Sequence, residues 1–452
     1  MDPEGGNQPI FNEDRKKAII GNGEIYNFPK MRPELAQKHT FTTTSDTEAV
    51  LHSFEDNGTD VVNKLDGMFA FAVADDGNIF AARDPIGIKP LYFSQTADSF
   101  WFASELKAIS KYCDDIHEFP AGSYFDSRSG FSQYYTVPDL RPQDRPVDEH
   151  IKILRETLEE CVIKRLMSDV PLGAFLSGGL DSSIIAAVAR QHMDELHTFT
   201  VGIEGSRDIE AARLVAKHID SIHHEYLITM EEVKERLPHI IYCLESFDQD
   251  LVRSGIPCYF TSRLAAEYVK VILTGEGADE LFAGYTYYKG IDDEEILHKE
   301  LRRSVQSLHN VNLQRVDRMT MAQSIEGRVP FLDVEMIKLG MLIPSLYKLS
   351  EEYPQEKWVL RKAFEDLLPH EIAWRDKEQF DEGSGTVDLL NRTLAEAMSP
   401  DEAAEYQAKY PDMGLRSAEE CFYHRIFMDV FDKPEPILSN VGRWADRPAW
   451  VA

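Results

Sequence analysis

The chain has 452 residues, 43% of them hydrophobic, and no proline-, glycine- or serine-rich tract interrupts the stretches able to form folded cores. Its 78 acidic against 48 basic residues leave a net charge of −30, a field that opposes nucleic acid and anionic membrane surfaces. No apolar run approaches the roughly 18 residues needed to span a bilayer, and no leader opens the chain, so a cytoplasmic protein is expected.

Length alone predicts two large domains or three smaller ones. Lys17 to Ile20 reads as a short strand, and Asn22-Gly23-Glu24-Ile25-Tyr26-Asn27 as a turn, because Asn-Gly favours one. Met31 to Gln37 reads as helix. Ser45 with Glu48 three residues on predicts a capping box opening a helix over Ala49 to Glu55, which Asp56-Asn57-Gly58 ends. Met68 to Val73, Asn78 to Arg83, Leu91 to Ser94 and Ser99 to Ala103 follow as strands at hairpin distance. The first domain, residues 1–140, is therefore an antiparallel α+β unit whose elements end near Tyr135. Pro138 to Pro146 reads as the linker.

The second domain, residues 147–435, opens with a helix over Val147 to Ser168 that carries Ile151, Leu154, Leu158, Val162 and Leu166 on one stripe. Strands are expected at Pro171–Leu176, Thr198–Ile203, Tyr226–Ile228 and Val269–Leu273, with a helix over Asp208–His218 among them. Strands alternating with helices predict an α/β, doubly wound parallel sheet. From Glu294 onward the pattern is mostly helical, and residues 436–452 read as a tail.

Within that domain Pro171 to Ser183, PLGAFLSGGLDSS, is a strand, a glycine-rich turn and a helix start. This arrangement offers free backbone N–H groups and a positive dipole end to an anion. Its glycines let phosphate oxygens approach the backbone, and Ser177, Ser182 and Ser183 add hydroxyl donors. Asp181 offers a carboxylate for a phosphate-bound cation. No lysine closes the loop, so it is not a Walker A sequence. Thr274 also lies at a strand end, where such sheets bind ligands. His223-His224-Glu225 is no metal site, because adjacent strand histidines point to opposite faces. Cys113, Cys161, Cys243, Cys258 and Cys421 have no zinc or CxxC spacing and read as buried thiols in a reducing compartment.

SGGLDSS resembles the pyrophosphate loop of the ATP pyrophosphatase superfamily. With it stand GGNQPI (Gly5–Ile10), NGEIYN (Asn22–Asn27), SDTE (Ser45–Glu48), DGMFAFAV (Asp66–Val73), RDPIGIKPLY (Arg83–Tyr92), TGEGADELFAGY (Thr274–Tyr285), EGRVPFLD (Glu326–Asp333) and AWRDKEQF (Ala373–Phe380). Together they resemble the bacterial B-type glutamine-dependent asparagine synthetase family over nearly the whole chain. The resemblance implies an N-terminal remnant of an Ntn-type glutaminase sandwich (αββα) followed by an ATP-pyrophosphatase domain with a helical C-terminal part. It implies asparagine synthesis from aspartate through β-aspartyl-AMP, with ATP, aspartate and ammonia or glutamine as partners. A homodimer is the assembly it allows. ATP would be held by Leu176, Ser177, Gly178, Gly179, Asp181, Ser182, Ser183, Val201, Thr274 and Gly275, with Mg²⁺ on Asp181 and Asp279. Glu276 would act as base or orienting group for ammonia, Lys377 would stabilise the adenylate, and Arg253 would help hold substrate.

The pattern breaks at the glutaminase half. That chemistry needs a cysteine as first residue of the mature chain, and this sequence begins Met1-Asp2-Pro3-Glu4, without the family's HRGPD and RLSI segments. Asn22 and Gly23 resemble the oxyanion hole, and Glu24 and Asp46 the glutamine contacts, all without a nucleophile. The expectation is a chain truncated at its N-terminus, with a destabilised first domain, that uses only free ammonia. Competing readings are a related adenylating enzyme forming a β-lactam or hydroxamate, and a non-catalytic ATP-binding remnant.

Overall fold

The computed structural model describes residues 5–96, 98–377, 383–385, 398–448 and 451. It divides into two compact units: the first runs to Val137 and takes in Met167–Val170, and the second holds Pro138–Leu166 and everything from Pro171.

The first unit contains β1 (Ile10–Phe11), β2 (Lys17–Ile25), β3 (Gly67–Asp75), β4 (Asn78–Arg83), β5 (Tyr92–Gln95), β6 (Phe100–Ala103), β7 (His117–Glu118), β8 (Ser123–Asp126) and β9 (Gly130–Gln133). Six form an antiparallel sheet in the order β1-β2-β3-β4-β8-β9, and three form a second, β6-β5-β7. Helices α1 (Phe28–Leu35) and α2 (Asp46–Asn57) belong to the same unit. Strand alternation separates two cores. Phe69, Phe71 and Val73 pack with Val50, Leu51 and Phe54 of α2, whereas Ala70 and Ala81 face Leu91, Phe119 and Phe125. The second helical layer of the expected sandwich amounts, among the described residues, to α3 (Leu106–Ile109).

Two local expectations are corrected. Asn22 to Ile25 is not a turn: β2 runs straight through, pairing Asn22 with Ala70 and Gly23 with Phe69. Nine consecutive pairings outweigh a dipeptide's turn preference. A Cβ at Gly23 would also lie 2.0 Å from the Met68 carbonyl, so the glycine serves close strand approach, not a bend. Ser45 does cap α2, accepting from the Thr47 N–H at 3.2 Å, but no capping box forms. Glu48 instead accepts from the backbone N–H and hydroxyl of both Thr42 and Thr43, organising the loop before the helix.

In the second unit β10 (Leu172–Phe175), β11 (His197–Gly202), β12 (Ile222–Leu227), β13 (Val271–Leu273) and β14 (Glu326–Arg328) form a parallel sheet ordered β12-β11-β10-β13-β14. Its first helices are α4 (Val147–Lys164), α5 (Leu180–Gln191), α6 (Arg207–Ile219), α7 (Met230–Leu244) and α8 (Gln249–Ala265). Then come α9 (Ala278–Phe282), α10 (Glu294–Gln306), α11 (Asn312–Met321), α12 (Val334–Leu342), α13 (Trp358–Phe364) and α14 (His370–Ala373). After the undescribed stretch, α15 (Pro400–Lys409), α16 (Ala418–Val430) and α17 (Glu435–Leu438) complete the chain.

Strand β14 breaks the helical expectation beyond Glu294. Its Glu-Gly-Arg sequence has no apolar signature, yet Arg328 is fully buried, donating to the Arg165 carbonyl at 2.8 Å and to Glu326 at 2.8 Å. Residues read as a tail also pack into this unit: Arg443 reaches Glu420 and the Met413 and Gly414 carbonyls. No helix among the described residues is long and apolar enough to cross a membrane.

Candidate active site

The strand order reverses at β10. The chain proceeds outward to β11 and β12, then returns on the other side with β13 and β14. Open parallel sheets bind ligands in the crevice this reversal leaves beyond the strand ends. The loops after β10 and β13 flank it.

The first loop is ordered by its own side chains. Ser182 Oγ accepts from the Ser177 N–H at 3.2 Å and donates to the Gly179 carbonyl at 3.3 Å, while Ser177 Oγ accepts from the Gly179 N–H at 3.3 Å. Gly178 adopts φ +72°, and a Cβ there would meet Ala211 Cβ at 2.4 Å. Gly179 caps α5 without a side chain, so the first-turn N–H groups keep their dipole end open to an anion. From the second loop, a Cβ on Gly275 would fall 2.8 Å from Asp181 Cβ. Only glycine lets the two loops approach this closely.

Asp181 and Asp279 meet around one ammonium group. Lys357 Nζ lies 2.5 Å from Asp181 Oδ2 and 2.6 Å from Asp279 Oδ1, and Lys377 Nζ donates to Asp279 Oδ2 at 2.8 Å. Burial alone would raise the Asp279 pKa, but the two ammonium groups hold it well below the usual carboxylate range. Burial would likewise lower that of Lys377, and the Asp279 and Asp181 carboxylates hold it above its ordinary value. The adjacent Glu280 is pushed up by burial and by Asp279. Lys377 is positioned through its backbone N–H, which donates at 3.1 Å to Glu356, itself gripped by Arg361 at 2.8 Å.

A hard divalent cation fits this donor set. Asp181 Oδ1 is buried without a hydrogen-bond partner, and both carboxylates already converge on a cationic centre.

Glu276 stands on the turn into α9 and accepts from Arg315 Nη2 of α11. The same cavity is lined by Asn312, Tyr285 and Trp444, whose ring meets Tyr285 edge-on at 5.3 Å. Of the residues expected to bind nucleotide, Leu176, Ser177, Gly179, Asp181, Ser182, Thr274 and Gly275 line this cavity, together with Glu276, Asp279 and Lys377. Gly178, Ser183 and Val201 do not. Gly178 packs on α6, and Ser183 and Val201 are buried in α5 and β11. Arg253 is also not among the lining residues. It donates through Nε to Glu419 at 2.8 Å, while its neighbours Asp250 and Ser254 face the cavity. Glu378, Gln379 and Phe380 of the AWRDKEQF motif lie outside the described residues.

Sequence reasoning missed Lys357, Arg315, Arg375 and Asp208. Arg375 bridges the Gly178 carbonyl at 3.3 Å and the Asp208 carboxylate at 3.0 Å, tying the first loop to α6. Each is a charged residue whose partner lies far along the chain; Arg375 stands inside AWRDKEQF, whereas Lys357, Arg315 and Asp208 carry no local signal. The left-handed φ of +60° at Lys357 is equally silent in the sequence.

In the first unit Asn22, Gly23 and Glu24 sit on β2, and Asp46 begins α2. Asp46 Oδ2 accepts from the Ile25 N–H at 2.8 Å, and the Glu24 and Asp46 side chains are both buried. All five cysteines are buried. His223 meets Thr198 at 2.9 Å, and His224 meets His197 at 2.9 Å on the opposite face.

Residues 153–294 and 290–451 match the family model described as asparagine synthase, and residues 1–111 match that of a glutamine amidotransferase domain. The probable asparagine synthetase (glutamine-hydrolyzing) of Dictyostelium discoideum is 38% identical, with 99% of this chain and 87% of the relative covered. That of Schizosaccharomyces pombe is 38% identical over 99% of this chain and 86% of its own. Asparagine synthetase (glutamine-hydrolyzing) 2 of Arabidopsis thaliana is 38% identical over 96% and 79%. Among solved structures, a Bacillus subtilis glutamine phosphoribosylpyrophosphate amidotransferase with ADP and GMP covers 42% of this chain and 47% of its own. Its identity of 20% and TM-score of 0.25 are too low to carry an argument.

Proposed function

This chain belongs to the glutamine-hydrolysing asparagine synthetase family of carbon–nitrogen ligases, and from that premise we propose that its second unit makes asparagine through an ATP-derived β-aspartyl-AMP. The observation carrying the proposal is the convergence, at one strand-order reversal, of an open helix N-terminus, two carboxylates, two lysines and Glu276.

The first-turn N–H groups of α5 receive phosphate oxygens. Lys357 and Lys377 supply positive charge where negative charge gathers on the phosphates. Mg²⁺, bound with ATP on Asp181 and Asp279, would neutralise phosphate charge. An oxygen of the aspartate side-chain carboxylate attacks the α-phosphorus, the α–β anhydride bond breaks, and pyrophosphate leaves. Ammonia then attacks the acyl carbon, and AMP departs with the electrons of the acyl–oxygen bond. Glu276, oriented by Arg315, accepts a hydrogen bond from the incoming ammonia and the proton it sheds.

On this reading the second unit takes its nitrogen as free ammonia, the form in which it meets Glu276 in the cavity. Pyrophosphate and asparagine are measured with ATP, Mg²⁺ and aspartate, using ammonium or glutamine as donor. Asparagine with ammonium and none with glutamine is the expected result. Asparagine from glutamine overturns the nitrogen source. Pyrophosphate released equally without aspartate, or no release at all, overturns the adenylate route.

A further inference from the structure

A second cluster of ligating side chains lies in the first unit. Glu13 of the β1–β2 loop, His39 of the α1–α2 connection, and His52 and Glu55 of α2 each offer one ligand atom, and all four atoms lie within 4.8 Å of one another. His52 and Glu55, three residues apart, share one helix face.

The spacing suits a small tetrahedral ion. Ligand bonds of about 2.0–2.1 Å put neighbouring donors about 3.3–3.4 Å apart around tetrahedral zinc. Here His39 Nδ1 is 3.6 Å from both Glu13 Oε1 and Glu55 Oε2, and His52 Nδ1 shares a 2.9 Å hydrogen bond with Glu55 Oε2 that a bound ion would replace, opening the pair by about 0.4 Å. Polar partners behind the ligands hold them in place. His39 Nε2 faces Asp56 Oδ1 at 3.3 Å, the carboxylate–histidine pairing that turns the other ring nitrogen toward a metal. Glu55 Oε1 accepts from Asn12 at 2.7 Å, and Glu13 Oε1 from the Thr40 N–H at 2.8 Å. The two imidazole rings stack at 4.5 Å, which fixes their mutual angle. His52 is fully buried, whereas Glu13 is solvent-accessible and provides the way in.

We infer that Glu13, His39, His52 and Glu55 bind one divalent transition-metal ion, of which zinc fits best. Two carboxylates and two neutral imidazoles neutralise a dication, and a nitrogen–oxygen set without thiolate favours zinc over softer ions. The ion staples the β1–β2 loop and the α1–α2 connection to α2. It is structural and takes no part in the ligase chemistry.

The test uses the full chain stripped of metal by a chelator, titrated with zinc alone against a chromophoric chelator, and with cobalt alone by absorption. One zinc per chain is expected, with tetrahedral cobalt bands in the visible and no thiolate charge-transfer band. His39→Ala weakens zinc binding about 100-fold or more, and Asp56→Asn about 10-fold. Glu13→Gln, at an accessible position, weakens it without endangering the fold, and circular dichroism verifies each variant. Ammonium-dependent asparagine synthesis stays at the parent level in Glu13→Gln. Absence of stoichiometric zinc binding, unchanged affinity in folded His39→Ala and Glu13→Gln, or a thiolate band with cobalt overturns the assignment.

Discussion

Lys357→Met isolates the role of the central ammonium. Its Nζ lies 2.5 and 2.6 Å from the two carboxylates and its side chain is almost fully buried. At an effective dielectric near 20, each contact is worth about 6 kcal/mol before desolvation is subtracted. Removing one partner of such a buried arrangement costs about 3–5 kcal/mol, because the remaining charges lose their counter-ion. Lys377 then balances two carboxylates alone. Mg²⁺ should stabilise the variant, and at 100 times its dissociation constant it returns about 2.7 kcal/mol. The parent chain, whose carboxylates already hold an ammonium, gains less. Urea unfolding of both proteins, with and without Mg²⁺ and in the absence of ATP, measures the difference. Pyrophosphate release by the variant falls about 10²–10³-fold. Equal stability of the two proteins without Mg²⁺, or an equal Mg²⁺ response, refutes the idea that Lys357 is the resident counter-charge.

Lys377→Ala should lower pyrophosphate release about 10²–10³-fold with ATP still bound, read from single-turnover rates beside nucleotide affinity. Gly178→Ala forces a Cβ to within 2.4 Å of Ala211 at φ +72°, so it should cost about 1–3 kcal/mol in denaturant unfolding and displace the loop from α6. Lys348 is buried with its Nζ donating to the Gly340 carbonyl at 2.6 Å, and burial pushes its pKa down to about 7. The native state binds fewer protons at this site than the unfolded chain between about pH 7 and 10.4, so stability rises with pH there, by at most about 1.4 kcal/mol per unit. Lys348→Met should remove that slope, and parallel slopes in the two proteins would contradict the burial argument. His223 is pushed down to about 4 by burial, so its contribution is lost as pH falls from about 6.5 toward 4, and His223→Gln should flatten the acid limb of the stability curve.

What the sequence determined by itself was local. The Ser177–Ser183 loop, the helix behind it and the alternating strands of the first unit follow from glycine freedom, helix-terminus geometry and side-chain periodicity, each spanning a few neighbouring residues. Tertiary structure decided what depends on distant partners. Asn22-Gly23 favours a turn in isolation, yet nine pairings with β3 extend it into a strand. Glu48 has the spacing of a capping box, yet two threonines before the helix take its carboxylate. Glu326-Gly327-Arg328 has no strand signature and becomes one because β13 presents an open edge and Arg165 a carbonyl for the buried guanidinium. Lys357 is 176 residues from Asp181 and reads as one more surface charge until the fold closes the distance. Charges carry no periodic signal, and their meaning is set by the partner that the chain's path brings to them.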